Sequence, residues 1–248
     1  MAILTDTSLA AIVKNELDNP AGGIRDFIET SMPLVEEGVV VDTGSVDGTR
    51  EELEELQLEF PNLVVVDKKF RGFADARNES LKHVGTRFAL VLDADERLEA
   101  YYARQLEEWR ESYPNLAYEI DVVDIPFESP DTQGIDLGAH NVRFFELAPG
   151  LHFKHPIYER LYQGSNPVSP GLFENVTRLD LLQRTPARIF HYLPLEEQLA
   201  AKREWYKQQR LFSAKPLSSN KTLFWIACQL EKAAYLLRQR DAPGYNHR

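Results

Sequence analysis

The stretch FALVLDADERL, residues 88–98, is the part of the chain that decides the fold class. Its first half, FALVL, is a continuous apolar run, as expected of a strand buried on both faces of a parallel sheet. The run ends in Asp93 and Asp95, one residue apart, and Glu96 follows directly. Because burying unpaired carboxylates is costly, we expect a cationic partner at the end of this strand.

Short apolar runs alternate with helical patterns over the first hundred residues, which indicates a parallel sheet flanked by helices. The predicted strands are SLAAIV (8–13), EGVVVD (37–42), NLVVVD (62–67) and RFALVLD (87–93). Each is continuous rather than alternating, so we expect all four to be buried on both faces. The predicted helices cover 21–32, 47–59 and 73–84, and either Ser45 or Asp47 can cap the second.

The pattern changes after Leu116. AYEIDVVDIPF (117–127) and AHNVRFFEL (139–147) resemble longer, partly antiparallel strands, and ESPDTQGIDLG between them is rich in turn residues. From residue 194 onward the sequence predicts two helices, 195–212 and 217–240. We therefore expect an α/β fold with a mixed, mainly parallel sheet in residues 1–193, and a helical extension in residues 194–248.

Composition and charge narrow the function classes. The net charge of −11 argues against nucleic acid as a partner. The charge is uneven, because residues 188–248 contain 11 Lys and Arg against 5 Asp and Glu, a net of +6, which leaves −17 for residues 1–187. We interpret the basic tail as a solvated helical face or as a peripheral contact with an anionic membrane surface.

Cysteine and hydropathy patterns favour a cytoplasmic location. A single cysteine, Cys228, excludes an internal disulfide and a thiolate metal cluster. No apolar run is long enough to cross a bilayer, and the amino terminus lacks the layout of a signal peptide.

The D-x-D pattern of Asp93 and Asp95 suggests a metal site. On an extended backbone the two side chains point to the same side, because the side-chain period of a strand is two. Hard cations such as Mg²⁺ and Mn²⁺ are held by one or two carboxylates, with ligand phosphate oxygens and water completing the shell. The pattern therefore predicts a cation that carries a phosphorylated ligand.

The loop VVVDTGSVDGT, residues 39–49, forms a tight connection between a strand and a helix. Asp42 closes the strand, and an acid there can hydrogen-bond a base or a ribose hydroxyl. The alternative is that Asp42 and Asp47 only organise the turn and cap the helix. We assign capping to Asp47 and ligand binding to Asp42.

Arg77 lies in the first turns of the predicted helix at 73–84. Cations are unfavourable at helix amino termini, so Arg77 should have an anionic partner. That partner is either Asp75 with its neighbours or a bound diphosphate.

Four motifs now occur in one order: AIVKNE (11–16), VVVDTGSVDGT (39–49), GFADARNESL (72–81) and FALVLDADE (88–96). Together they resemble the nucleotide-sugar-binding half of the inverting glycosyltransferases of family 2, which have the GT-A fold. The resemblance is close over residues 8–98. It implies a donor half up to about residue 98 and an acceptor half over 99–193.

Site residues follow from the resemblance by position. Asp42 would contact the nucleoside, Asp93 the ribose or nucleobase, and Asp95 the Mn²⁺ or Mg²⁺ that bridges the diphosphate. The donor-binding set that the resemblance implies is Val13, Asn15, Glu16, Asp42, Gly44, Ser45, Asp75, Arg77, Asp93, Ala94 and Arg143. The implied metal ligands are Asp95, Asp93 and His191.

The resemblance continues into the second half. Arg143, in NVRFFEL (141–147), would hold an acceptor or the diphosphate, or else form a salt bridge to Glu146 or another acid. HPIYERL (155–161) lies where many relatives have Ile-His-Glu, so Tyr158 replaces that histidine, and His152 or His155 is near enough to substitute. His191, in RIFHYLP (188–194), would reach the diphosphate or complete the metal shell.

Inverting transfer needs a base that takes the proton of the acceptor hydroxyl. Glu159 is the first candidate by position in the motif, and Asp131, in the turn-rich loop, is the second. Three further acids in the same region, Asp121, Asp124 and Glu128, rank below them.

The implied partners are a nucleoside-diphosphate sugar, with a UDP-sugar as the first choice, and an acceptor that is a polysaccharide, a lipid-linked glycan or a protein. A homodimer through the apolar stripe of the last helix is a further expectation. Two other functions remain open: a nucleotidyltransferase with a similar sheet, and an inactive nucleotide-sugar-binding protein.

Overall fold

The structure is a computed structural model, and it describes residues 2–19, 21–126, 135–155, 159–168 and 182–193. The predicted helical extension from residue 194 onward, with Cys228 and the proposed dimer stripe, lies outside these residues. Among the described helices, none is both long enough and apolar enough to cross a membrane.

The first half alternates strands and helices as predicted. Its elements are β1 (Thr7–Val13), α1 (Gly23–Ser31), β2 (Glu37–Asp42), α2 (Thr49–Glu59), β3 (Leu63–Asp67), α3 (Phe73–His83) and β4 (Phe88–Val91). β1 and β4 are buried along their whole length, and β2 is buried except at Glu37. These continuous apolar strands are the centre of the core.

The second half adds one helix and the remaining strands. Its elements are β5 (Glu96–Arg97), α4 (Ala100–Ser112), β6 (Ala117–Pro126), β7 (Ile135–Glu146), β8 (Leu151–Lys154), β9 (Arg160–Gln163), β10 (Asn166–Pro167) and β11 (Leu182–Leu193). We did not predict α4 from the sequence, although its apolar residues have helical spacing. Ala103 and Leu106 are buried, and Tyr102 and Trp109 pack beside them on the core.

The described strands form one sheet of eight, in the order β3-β2-β1-β4-β7-β6-β11-β5, and a second of three, in the order β10-β9-β8. In the large sheet, β3, β2, β1 and β4 are parallel, and β6 is parallel to β11. β7 is antiparallel to both β4 and β6, and β5 is antiparallel to β11. The predicted mixed, mainly parallel α/β sheet is confirmed.

One strand is less buried than we expected. β3 lies at the edge of the large sheet, and Val64 is 38% exposed. The prediction that all four early strands are buried on both faces is therefore wrong for β3. An edge strand has a neighbour on one side only, so its apolar residues are covered less completely.

Candidate functional site

The loop after β2 is organised by Asp42. Its Oδ1 accepts hydrogen bonds from the backbone N–H groups of Gly44 and Ser45, both at 2.8 Å. Asp42 is 2% exposed, and Gly44 has a φ of 104°, a conformation that favours glycine. A Cβ atom at Gly44 would meet nothing within 4 Å, so this part of the loop faces open space. Asp42 thus performs the turn-organising role, and its contact with a nucleoside stays a prediction.

The same loop is bound to the end of β1. Asn15 N–H donates to Ser45 Oγ at 2.9 Å, and the Asn15 side-chain Oδ1 accepts from Val46 N–H at 2.9 Å. Thr43 N–H donates to Val13 O at 3.0 Å, which joins the two strand ends directly. Glu16 N–H adds a bond of 2.8 Å to Thr49 Oγ1. The residues of the first two motifs that we predicted to bind the nucleotide sugar therefore lie together at one edge of the sheet.

The cap of α2 differs from the prediction. Gly48 is the N-cap residue, and neither Ser45 nor Asp47 occupies that position. Asp47 acts one residue earlier, where its Oδ1 accepts from Thr49 N–H at 3.0 Å and its Oδ2 accepts from Leu17 N–H at 3.1 Å. Ser45 instead bonds to Asn15, so its hydroxyl joins two loops.

The backbone from Asp93 to Glu96 is a turn, closed by a hydrogen bond of 2.9 Å from Glu96 N–H to Asp93 O. Our expectation that Asp93 and Asp95 lie on an extended backbone is therefore wrong. The reason is that Glu96 turns back into the protein, where its Oε2 accepts from Asp93 N–H at 2.9 Å. The two aspartates have different partners as a result.

Asp93 lies between two arginines. Arg77 Nη2 donates to Asp93 Oδ1, and Arg143 Nη2 lies 3.2 Å from Asp93 Oδ2. Arg143 also donates to Glu96 Oε1. These are the cationic partners that the strand-end acids required, and they come from α3 and β7. Of the two alternatives for Arg143, the structure has the salt bridge, made to Asp93 and Glu96 rather than to Glu146.

Glu159 belongs to the same cluster. Arg77 Nε donates to Glu159 Oε1 at 2.7 Å, so one guanidinium bridges Asp93 and Glu159. Asp75, which we considered as a partner of Arg77, forms an ion pair of 3.3 Å with Lys68 instead. We call Arg77, Asp93, Glu96, Arg143 and Glu159 the arginine–carboxylate cluster.

Burial shapes the ionisation of this cluster. Burial raises the pKa of the Glu96 carboxyl to about 7, because the charge of Arg143 offsets the lost hydration only in part and nearby Asp93 opposes ionisation. Burial alone would lower the pKa of the Arg77 guanidinium, but the Asp93 and Glu159 carboxylates outweigh it and raise that pKa. Both arginines therefore stay charged, whereas Glu96 titrates near neutrality.

Asp95 lies beside His191. The His191 Nε2 is 3.5 Å from Asp95 Oδ2, and both side chains are partly exposed. Strand pairing produces this arrangement, because β11 places His191 opposite Glu96 of β5 and Tyr192 N–H donates to Asp95 O at 2.9 Å. The structure thus brings together two of the three predicted metal ligands, while both carboxylate oxygens of Asp93 contact arginines.

The metal-ligating side chains of Asp95 and His191 fit a divalent cation that arrives with a phosphorylated ligand. Within the described residues, no group of three or more His, Cys, Asp or Glu side chains could hold a metal ion. Mg²⁺ is usually bound by one or two carboxylates, with phosphate oxygens and water in the remaining positions, and Mn²⁺ accepts a similar oxygen-rich shell. Asp95 supplies one such carboxylate, and His191 beside it offers a nitrogen ligand.

The remaining predicted residues have diverse positions. Ala94 is buried, and its carbonyl oxygen accepts from Arg97 Nη1 at 2.9 Å. His155 lies after β8, and its Nε2 is 3.0 Å from Tyr162 Oη. Tyr158, Asp131 and Glu128 lie outside the described residues, and so does the side chain of Asp124. Sequence reasoning gave no role to Asn78, whose side chain contacts β8, although it stands in the GFADARNESL motif.

Solved structures give weak matches. TarS of S. aureus has a TM-score of 0.42 and 19% identity over 52% of this chain and 23% of its own. The mannosyltransferase PcManGT from Pyrobaculum calidifontis, solved with GDP-Man and Mn²⁺, has a TM-score of 0.39 and 22% identity over 46% of this chain and 35% of its own. GalNAc-T7, solved with UDP, GalNAc and Mn²⁺, has a TM-score of 0.47 and 12% identity over 77% and 44%. The chain spans less than half the length of each of these proteins.

A family model gives the decisive comparison. No curated protein sequence matches the chain. The family model described as glycosyl transferase family 2 matches residues 8–148, which is more than half of the chain and includes all four donor-side motifs. The GT-A fold expected from the motifs agrees with the mixed, mainly parallel sheet flanked by helices. The chain belongs to glycosyltransferase family 2.

Proposed function

We propose that the protein is a metal-dependent, inverting glycosyltransferase that moves a sugar from a nucleoside-diphosphate sugar to an acceptor hydroxyl. The observation that carries the proposal is the pairing of Asp95 with His191 beside the arginine–carboxylate cluster, at the carboxyl ends of β1, β2 and β4. Ligands of open α/β sheets bind at this edge. The donor would be a UDP-sugar.

The donor would lie across the loop after β2. Gly44 faces open space there, and the hydrogen bonds of Asn15 with Ser45 and Val46 fix the loop before a ligand arrives. Such preorganisation lowers the entropy cost of binding. The loop would receive the nucleoside, so that the diphosphate extends toward Asp95.

Asp95 and His191 would hold Mn²⁺ or Mg²⁺. When bound, the cation neutralises negative charge on the departing diphosphate. The two arginines of the cluster keep Asp93 in a fixed orientation, in which its carboxylate would contact the ribose or nucleobase and remain beside the cation as a further ligand.

Glu159 would act as the base. Its carboxylate takes the proton of the acceptor hydroxyl as the oxygen attacks the anomeric carbon from the face opposite the leaving group. The hydrogen bond from Arg77 Nε holds one carboxylate oxygen and fixes the orientation of the group. Asp131 remains the alternative base.

The acceptor would be a polysaccharide, a lipid-linked glycan or a protein. A cytoplasmic location, peripheral membrane contact through the basic tail, and a homodimer through the last helix complete the proposal. The charge asymmetry of the sequence supports the membrane contact, since anionic lipids attract basic segments.

A calorimetric panel tests the donor site. UDP, GDP, UDP-glucose, UDP-N-acetylglucosamine and GDP-mannose are titrated with Mn²⁺, with Mg²⁺ and with EDTA. We expect one base to bind only with metal, and Asp95→Ala to weaken this binding by more than about 10-fold. Asp67→Ala is the matched control, because Asp67 also ends a strand but pairs with Arg50 at the exposed edge.

Two outcomes would contradict the proposal. Absence of binding by every nucleotide with either metal would exclude the donor site. Equal losses in Asp95→Ala and Asp67→Ala would show that the effect is not local to the cation site.

The stereochemistry needs its own experiment. Proton NMR during donor hydrolysis, or transfer once an acceptor is known, reports the anomeric configuration of the first product. We expect it to be opposite to that of the donor, and retention would exclude the inverting mechanism.

A further inference from the structure

The side chain of Asn78, in α3, binds the backbone of a single residue in β8. Asn78 Nδ2 donates to Phe153 O at 2.9 Å, and Asn78 Oδ1 accepts from Phe153 N–H at 2.7 Å. A side-chain amide places an N–H donor next to a carbonyl acceptor, so it can pair with both backbone groups of one residue as a neighbouring strand does. Both backbone groups of Phe153 that face α3 are therefore satisfied by one side chain.

This contact is made on the side of β8 that faces away from β9. Among the described strands β8 is at the edge of the three-stranded sheet, so one side of its backbone has no partner strand within the described part of the chain. Phe153 itself is buried, and its ring contacts Phe145 of the large sheet with centroids 6.0 Å apart. Asn78 thus fixes the β8–β9 hairpin to the donor half at a defined point of the strand.

The preceding residue makes a second connection to the same hairpin. Arg77 Nε donates to Glu159 Oε1, and Glu159 lies directly before β9. The other end of the Arg77 guanidinium holds Asp93 after β4. Two consecutive residues of α3 therefore hold the hairpin: Asn78 binds β8, and Arg77 binds Glu159 directly before β9. Arg77 also binds Asp93, which follows β4.

Two attachment points are needed to fix an orientation. The ion pair of Arg77 and the packing of Phe153 against Phe145 hold the hairpin but leave it some rotational freedom, because apolar contacts are non-directional and a long side chain has several rotatable bonds. Asn78 has a short side chain and two hydrogen bonds, so it removes this freedom.

We propose that Asn78 is a positioning residue: by its paired hydrogen bonds to Phe153 it holds the β8–β9 hairpin so that Glu159 faces the donor bound beside Asp93. The inference rests on the proposed function for the role of Glu159. The geometry of the attachment itself does not depend on that role.

The test compares Asn78→Ala with Asn62→Ala in the full chain. Asn62 is a matched control, because its Nδ2 donates to Glu36 O at 2.7 Å on the far side of the donor half and makes no contact with the hairpin. Each variant removes an asparagine that bonds to backbone, but only Asn78→Ala removes the attachment of β8.

Three measurements separate positioning from folding. Binding of UDP with Mn²⁺ should change less than about twofold in Asn78→Ala, because the donor loops are unaltered. The kcat for hydrolysis of the UDP-sugar that binds best should fall about 10- to 100-fold with little change in its KM, because the base is misplaced. Amide hydrogen exchange should rise in residues 151–155 and 159–163 and stay unchanged in β1, β2 and β4.

Each contrary result overturns the inference. Unchanged exchange in the hairpin would show that Asn78 does not hold it, and unchanged kcat with increased exchange would show that holding it does not position Glu159. A parallel loss of UDP binding would indicate general destabilisation.

Failure of the proposed function gives a different pattern. In that case the unaltered chain binds and hydrolyses no nucleotide sugar. The exchange measurement would still decide whether Asn78 attaches the hairpin.

Discussion

The loop after β2 and the turn after β4 both begin with an aspartate at the end of a parallel strand, but the two carboxylates have different partners. Asp42 accepts from backbone N–H groups two and three residues further along the chain. Asp93 binds arginines from α3 and β7. The first carboxylate organises its own loop, and the second joins distant parts of the chain.

The difference shows what a strand-end acid can do beyond binding a ligand. A carboxylate that bonds only to nearby backbone shapes one loop, so the effect of removing it should be limited to that loop. A carboxylate in the arginine–carboxylate cluster belongs to a partly buried network, in which removing one member leaves other charges unpaired. Four predictions test this comparison.

The largest effect should follow Arg143→Met, which removes a mostly buried guanidinium and leaves the fully buried Glu96 without its ion-pair partner. We expect the free energy of unfolding to fall by about 3–5 kcal/mol at pH 8. The loss should be smaller at pH 5, where Glu96 is protonated. Urea unfolding at both pH values measures it.

Arg87→Met is the control for this change. Arg87 also pairs with a glutamate, Glu146, but its side chain is 60% exposed. An exposed pair contributes about 0–1 kcal/mol, so a loss as large as that of Arg143→Met would contradict the distinction between buried and exposed pairs.

The second prediction concerns pH. The pKa of Glu96 is about 7 in the folded protein and 4.5 as its ordinary value, so the folded chain binds this proton more tightly than the unfolded chain. The contribution of Glu96 to the free energy of unfolding should therefore be greatest below about pH 4.5. It should decline as the pH rises to about 7, by at most about 1.4 kcal/mol per pH unit.

Glu96→Gln isolates this contribution, because glutamine keeps the shape and one acceptor but does not titrate. Unfolding is followed between pH 5 and pH 8 with EDTA present, so that no metal contributes. The decline should be absent from the variant, and an identical pH profile in both proteins would contradict the raised pKa.

The third prediction concerns Asp42. Asp42→Ala should cost about 1–3 kcal/mol, because the N–H groups of Gly44 and Ser45 lose their acceptor. Asp42→Asn should recover most of this loss, since an amide oxygen can accept the same bonds. Thermal unfolding compares the two, and equal losses would mean that the charge, rather than the hydrogen bonds, holds the loop.

The smallest effect should follow Gly44→Ala. The φ of 104° disfavours alanine, but no atom lies within 4 Å of the added Cβ, so only conformational strain remains, at about 1 kcal/mol. Gly23→Ala should cost clearly more, because its Cβ would lie 2.4 Å from Leu17 O. Thermal unfolding would contradict this order if Gly44→Ala were the more damaging.

Much of the fold could be predicted because continuous apolar runs, which indicate buried strands, are local features of the sequence. The strand Glu37–Asp42 was predicted to the residue, and Thr7–Val13 to within one residue. The exposure of β3 could not be predicted from its sequence, because LVVVD is as apolar as its neighbours and its position at the edge depends on strand order. The helix Ala100–Ser112 was missed despite adequate spacing of its apolar residues.

The site could be predicted less completely. The four motifs predicted that a ligand binds at the carboxyl edge of the sheet, which stays a prediction, whereas the cationic partner expected beside Asp93 is confirmed. The partners themselves are distant in sequence, since Arg77 of α3 meets Glu159 82 residues away and Arg143 of β7 meets Glu96 47 residues away. Such pairings depend on tertiary structure, which residue spacing alone does not encode.

The position of His191 in β11 has a consequence for folding. The loops after β1 and β2 join residues 30 to 33 apart in the sequence, whereas Asp95 and His191 are about three times as far apart. The pairing of Asp95 with His191 requires β11 to insert between β6 and β5, which closes a long loop and carries a large entropic cost. During synthesis the pair can form only after nearly two hundred residues have been made. A shorter nascent chain would lack the histidine of the proposed cation site.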